Sequence, residues 1–260
     1  MKKSPACLAI LTAACVFGQI PEAARFDAAS VKPSGRDTKG SGVRFLPGGR
    51  VEARNASLMA ILVQAYDVTE LRIAGAPEWV SDAKTARFDI EAAAPAGNTE
   101  TPRLRLMLQA LLAERFQLQV HRETRSVPVY ALLPDKNGPH LKPVADVDKV
   151  RGTPAFDSNM YGGHVDGTDA RMPDFVRVLE RWLDRPVLDK TGFADAFSVT
   201  LSWAPGPENT RNALPFAPNP DDPQPSIFTA VQDQLGLRLN AERDPLEVIV
   251  IDRVERPSPN

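Results

Sequence analysis

His164 and Asp166 are the best-placed acid–base pair in the sequence, in the run Gly162-Gly-His-Val-Asp-Gly167. Alternate residues of an extended backbone share a side, so imidazole and carboxylate here can face one substrate and pass a proton. The competing reading is a solvated glycine-rich loop with a hydrogen-bonded histidine. His121 and His140 are the other histidines, and no two of the three stand three or four residues apart. A helical metal pair is therefore ruled out, and no metal or cofactor is expected. Serine chemistry lacks a Gly-x-Ser-x-Gly elbow, and Gly40-Ser41-Gly42 reads as a loop. Gly35-Arg-Asp-Thr-Lys-Gly40-Ser41 has the outline of a phosphate loop, but Ser41 stands where the phosphate-reaching lysine belongs. Nucleotide binding is rejected on that ground.

Arg185-Pro-Val-Leu-Asp189-Lys190-Thr-Gly192 is the densest polar run. Arg185, Asp189 and Lys190 are candidate ligand-binding residues at a helix end. The plainer reading is that Pro186 stops the helix while Asp189 bonds local backbone N–H groups. Trp79, Trp182 and Trp203 are too scattered for a sugar-stacking platform, and Trp182 falls on an apolar stripe.

Two similar stretches must position these residues. Leu104, Met107, Leu108, Leu111, Leu112 and Phe116 recur at steps of three and four, which predicts a helix entered through Thr101-Pro102. Gln117–Val120 then alternates as a strand, and Val127–Leu133 reads as a second strand after a short turn. Near the C-terminus the order returns: Ile227, Ala230, Val231 and Leu235 on a helix ending at Gly236, then Leu237–Asn240 and Leu246–Ile251. Between them, Leu58, Ile61, Leu62, Ala65 and Tyr66 predict a helix capped by Asn55 or Ser57, and Met172–Leu183 predicts another. Phe88–Ala92 and Phe197–Leu201 match as strands. The expected fold is α+β with mostly antiparallel sheets, helices packed on one face, and two tandem helix-strand-strand-helix-strand-strand repeats. The first would span 26–145 and the second 146–260, with a proline-rich insertion at 204–225 that holds seven of the 24 prolines. Pro134–Gly167 reads as a turn-rich boundary.

The chain of 260 residues is 43% apolar and 25% charged, ordinary globular values. A formal charge of −2 without long runs of one sign suggests neither nucleic acid nor an anionic membrane. Lys2 and Lys3 precede the apolar run Ala6–Gly18, the form of a signal peptide (1–18) cut before Gln19. Leu11-Thr-Ala-Ala-Cys15 approaches a lipoprotein box, with Thr12 where an aliphatic residue is wanted. Both cysteines, Cys7 and Cys15, would leave with the leader, so no disulfide or thiol chemistry is expected. Losing two lysines leaves 29 basic against 33 acidic residues, a mature charge of −4. No membrane span is expected in the mature chain.

Five landmarks in order carry a family resemblance: Phe26–Pro33, Leu108–Phe116, Arg185–Gly192, Gln234–Leu239 and Val250–Pro257. Together they resemble the soil-associated exported family found in many copies in Acidobacteria, built on a domain of unknown function. The ending departs from that pattern, which tends to have Glu where Pro259 stands. The resemblance implies export but no assigned reaction. Some relatives look like the outer part of membrane-bound sensor metallopeptidases; a His-Glu-x-x-His helix is missing here, so peptidase activity does not carry over. The expected function is a non-catalytic binding or interaction module of the periplasm or cell exterior. Its partner would be an unidentified periplasmic or extracellular protein or small ligand, met through the Gly- and Pro-rich loops. The alternatives are a hydrolase-type enzyme using His164 and Asp166, with Asp189 as a third group, or an ancillary sensor domain.

Overall fold

Val51 and Ala53 alternate with Glu52 and Arg54, and this period of two, shifted by one residue at a bulge that brings in Ala56, sets the inner face of the first sheet. The structure, a computed structural model, describes residues 25–35, 40–82, 86–97, 100–144, 156–158, 163–204, 206 and 224–257. The expected signal peptide and most of the proline-rich insertion lie outside the described residues. Strands β1 (Ala28–Pro33), β2 (Gly42–Leu46), β3 (Arg50–Ser57) and β5 (Arg87–Ala93) form an antiparallel sheet in the order β1-β5-β3-β2. Phe88, Ile90 and Ala92 point inward with the β3 residues. Helices α1 (Leu58–Tyr66), the short α2 (Glu78–Ser81) and α3 (Thr101–Arg115) complete this core. The Ser57 hydroxyl accepts the Ala60 N–H at 3.2 Å and so caps α1. Leu104, Met107, Leu108, Leu111 and Leu112 of α3 are buried as their spacing predicts. Phe116 follows, fully buried edge-to-face against Phe88 at 4.9 Å.

The second half has a four-stranded sheet and two helices of its own. Strands β7 (Lys142–Pro143), β8 (Phe156–Ser158), β9 (His164–Ala170) and β11 (Phe197–Ser202) pair in the order β7-β11-β9-β8. Val165 and Ala170 on β9, with Phe197, Val199 and Leu201 on β11, face α4 (Met172–Glu180) and α5 (Ile227–Leu235). Ile227, Ala230, Val231 and Leu235 are buried at the spacing of Leu108, Leu111, Leu112 and Phe116. Each sheet carries a bulge at the matching place, with Asn55 at φ 43° and Asp169 at φ 56°. The residue between helix and long strand is left-handed in both halves: Gln117 at φ 49° and Gly236 at φ 63°.

The long strands depart from expectation. Two strands joined by a turn were predicted after each main helix, but β6 (Gln119–Pro134) and β12 (Leu237–Arg253) are each continuous. They pair antiparallel along nearly their whole lengths, which offsets the local polarity of Arg122–Ser126 and Ala241–Asp244 that suggested turns. Pro128 fits because the N–H of Tyr130, two residues on, points away from β12 to Pro186, so the proline nitrogen also faces a side with no ladder bond to lose. Short parallel strands flank the pair: β4 (Ile73–Ala74) beside β12, and β10 (Val187–Asp189) beside β6. Each half thus lends its short strand to the other half's long strand, and the halves share one sheet, β10-β6-β12-β4. β3 and β9 were also unexpected, since only small residues alternate on their inner faces; β9 replaces the predicted loop around His164.

Polar bonds join the halves beside this sheet. Glu180, at the end of α4, accepts Arg72 Nη2 at 2.7 Å, Thr69 Oγ1 at 2.6 Å and the Val187 N–H at 2.8 Å. Asp67 takes both Nη atoms of Arg177. Among the described residues, no helix is long and apolar enough to cross a membrane.

Candidate functional site

Cross-strand pairing assembles the strongest polar constellation. His164 lies opposite Ser202, and Asp166 opposite Thr200, on the outer face of β9 and β11. The alternation that turns Val165, Val199 and Leu201 inward turns these four outward. His164 Nδ1 sits 2.8 Å from Ser202 Oγ, and its Nε2 sits 2.7 Å from Asp166 Oδ2. Thr200, then His164, hold the Asp166 carboxyl below its ordinary 3.8. Hydroxyl, imidazole and carboxylate therefore form one hydrogen-bonded line, the order used in serine nucleophile activation.

Acyl transfer also needs donors aimed at the developing oxyanion. Among the described residues, the N–H groups of Ser202 and Trp203 are both committed. Gln234, on α5, accepts the Ser202 N–H at 3.0 Å through its side-chain oxygen and donates its amide to the Ser202 carbonyl at 2.7 Å. The next N–H, that of Trp203, is bonded to the Gly163 carbonyl at 2.8 Å. His164 and Asp166 are 43% and 54% exposed, on a strand face open to solvent. This geometry suits a cross-strand clasp better than a nucleophile. Ser202 was not singled out from the sequence because its partnership with His164 depends on register.

Arg185, Asp189 and Lys190 each bond different partners. Arg185 lies over the Tyr130 ring at 5.3 Å and beside Asp184. One Asp189 oxygen accepts the Thr191 N–H at 2.9 Å and its hydroxyl at 2.7 Å, a local turn. Lys190 reaches across to Asp244 and Glu242, which hold it charged. Of the other histidines, His121 bonds Asp252 at 2.9 Å. No group of three or more His, Cys, Asp or Glu side chains that could hold a metal occurs among the described residues.

A cavity of about 290 Å³ opens elsewhere, lined by Gly40, Ser41, Gly42, Arg44 and Arg54. Gly42 pairs with Arg54 and Arg44 with Glu52, so these residues share the outer face of the β2–β3 hairpin. Glu52 accepts one bond from Arg44, at 2.8 Å, and another from Arg54. Restricted solvation works against the Glu52 charge, but Arg54 and Arg44 outweigh it and hold the carboxyl below 4.5. The Ser41 hydroxyl donates to the Asn55 carbonyl at 3.0 Å, and Arg87 bonds both groups. The bulge at Asn55 thus fixes the glycine turn. Arg44 and Arg54 were passed over because their sequence spacing matches no motif; only the hairpin register brings them together.

Comparison with known proteins returns one family. The one described as protein of unknown function (DUF3738) matches residues 59–254, from α1 through the end of β12. No curated protein and no solved structure matches.

Proposed function

The chain belongs to the DUF3738 family, and on that premise we propose that it is an exported, non-catalytic binding module built from two copies of one α+β unit. One observation carries the non-catalytic reading: Gln234 closes both backbone groups of Ser202, the hydroxyl that His164 bonds among the described residues. An acyl-transfer centre would leave N–H donors there unpaired and pointed at the substrate. The lysines and apolar run at the start of the chain support export to the periplasm or cell exterior. So does the likeness of its landmarks to the soil-associated acidobacterial proteins. The matched burial patterns, bulges and left-handed residues of the halves support duplication.

A thermal-shift screen of the protein without its leader tests this, with mass spectrometry of each stabilising compound. A ligand that binds the folded form raises Tm with concentration. The expected result is a concentration-dependent rise with the compound recovered unchanged; consumption of the compound that stops in His164→Ala overturns the reading.

A further inference from the structure

We propose that the Gly40–Gly42 segment entering β2 and the guanidinium groups of Arg44 and Arg54 form a binding site for the oxyanion group of a small ligand, a phosphate, sulfate or carboxylate. The cavity is near the lower end of small-molecule sites, room for an acidic group with a small body. Glu52 holds the two cations side by side against their mutual repulsion. It occupies one Nη of Arg44 and the Nε of Arg54, and each guanidinium has five N–H donors, so several are left over. Glu91 lies opposite Glu52 on β5 and Asp89 accepts the Asn55 N–H, so the face as a whole is mixed in charge, and the two guanidiniums at the cavity wall supply the local attraction. Planar guanidiniums match the paired oxygens of such groups.

The segment is open as well as charged. Gly40 (φ 81°) and Gly42 (φ 146°) adopt backbone that other residues rarely take, and a Cβ built on either meets nothing within 4 Å. These glycines are favoured by conformation, and among the described residues no atom within 4 Å blocks a ligand from approaching the backbone there. A bulge commonly re-aims side chains beside a binding site, and here it seats Asn55 as the anchor for Ser41 and Arg87. The arrangement differs from a nucleotide phosphate loop, because a strand rather than a helix follows the glycines. The residues lining the cavity lie N-terminal to the family-matched residues 59–254. The test of the site does not depend on whether His164 is catalytic.

Titrating isotope-labelled protein with sodium phosphate, sodium sulfate and sodium acetate in separate arms, against sodium chloride at matched ionic strength, tests the site by amide NMR. The expected result is saturable shifts at Gly40, Ser41 and Gly42 with at least one oxyanion, and the arm with the lowest Kd identifies the preferred group. In Arg44→Gln/Arg54→Gln the Kd should rise at least about tenfold, while peaks of β6 and β12 stay in place to show that the fold is kept. Arg54→Lys, which keeps charge but loses the planar fork, should weaken binding severalfold. Shifts that follow chloride equally, or an unchanged Kd in the double variant, overturn the proposal.

Discussion

Arg72 and Glu180 join the two halves through a 2.7 Å ion pair in which the carboxylate is 1% exposed and the guanidinium 23%. The same Arg72 nitrogen also donates to the Val187 carbonyl at 3.0 Å, so one side chain ties the turn before β4 to both α4 and β10. Arg72→Ala strands a buried carboxylate that keeps only Thr69 and the Val187 N–H. It should cost about 3 kcal/mol, toward the lower end for a broken buried pair because those two bonds remain. Denaturant midpoints for Arg72→Ala, Glu180→Gln and the double variant should show a coupling above about 1 kcal/mol. Additive single effects would show that the pair contributes nothing of its own.

Phe116 and Leu106 stand on opposite sides of the same account. Phe116 is fully buried against Phe88, whereas Leu106, on α3, is 45% exposed. Phe116→Ala should destabilise by about 3–5 kcal/mol and Leu106→Ala by no more than about 0.5. Similar unfolding midpoints for the two variants would contradict the burial of the α3 stripe.

Gly236 tests the helix-to-strand junction. It sits at φ 63°, and a Cβ there would lie 2.2 Å from the Gly138 carbonyl oxygen, which is backbone and cannot swing away. Gly236→Ala should cost more than about 1 kcal/mol. The matching Gln117 holds φ 49°, so Gln117→Gly should relieve strain and change stability by no more than about 1 kcal/mol in either direction. Equal losses from both substitutions would count against the correspondence of the junctions.

His121 gives the protein a pH dependence of known sign. The hydrogen bond to Asp252, aided by Glu123, raises its pKa above the ordinary 6.5. A raised folded value means the stabilisation is complete below 6.5 and is lost as pH climbs through the folded value. The denaturant midpoint should therefore fall as pH rises above about 6.5 toward the folded value, and His121→Gln should remove this part of the slope. A wild-type slope retained in full by the variant would assign the dependence to other groups.

The α+β class and the mostly antiparallel sheets were legible because α3, α5 and β5 bury residues at strict helical or strand spacing. The buried positions of α5 recur at the spacing of Leu108, Leu111, Leu112 and Phe116, whereas Phe228 falls on Gln109, and the buried residues read equally well from sequence. β6 and β12 were not read as single strands because their polar middles are held by each other, a relationship across the two halves that no local window contains. β3 and β9 were missed because alanine, glycine and single valines bury little area, so the alternation is faint. At the sites, Asp189 was readable as a local turn, since its partners lie two residues away. His164 was readable as a partner of Asp166 but not of Ser202, and Arg44 with Arg54 not at all, because strand register alone sets those contacts.

Reaction with a fluorophosphonate, a probe that phosphonylates activated serines, followed by intact-mass measurement tests the central claim most directly. With the Ser202 and Trp203 N–H groups committed to Gln234 and Gly163, the account predicts an unchanged mass. Stoichiometric addition at Ser202 that disappears in His164→Ala would contradict it and establish the clasp as a working nucleophile.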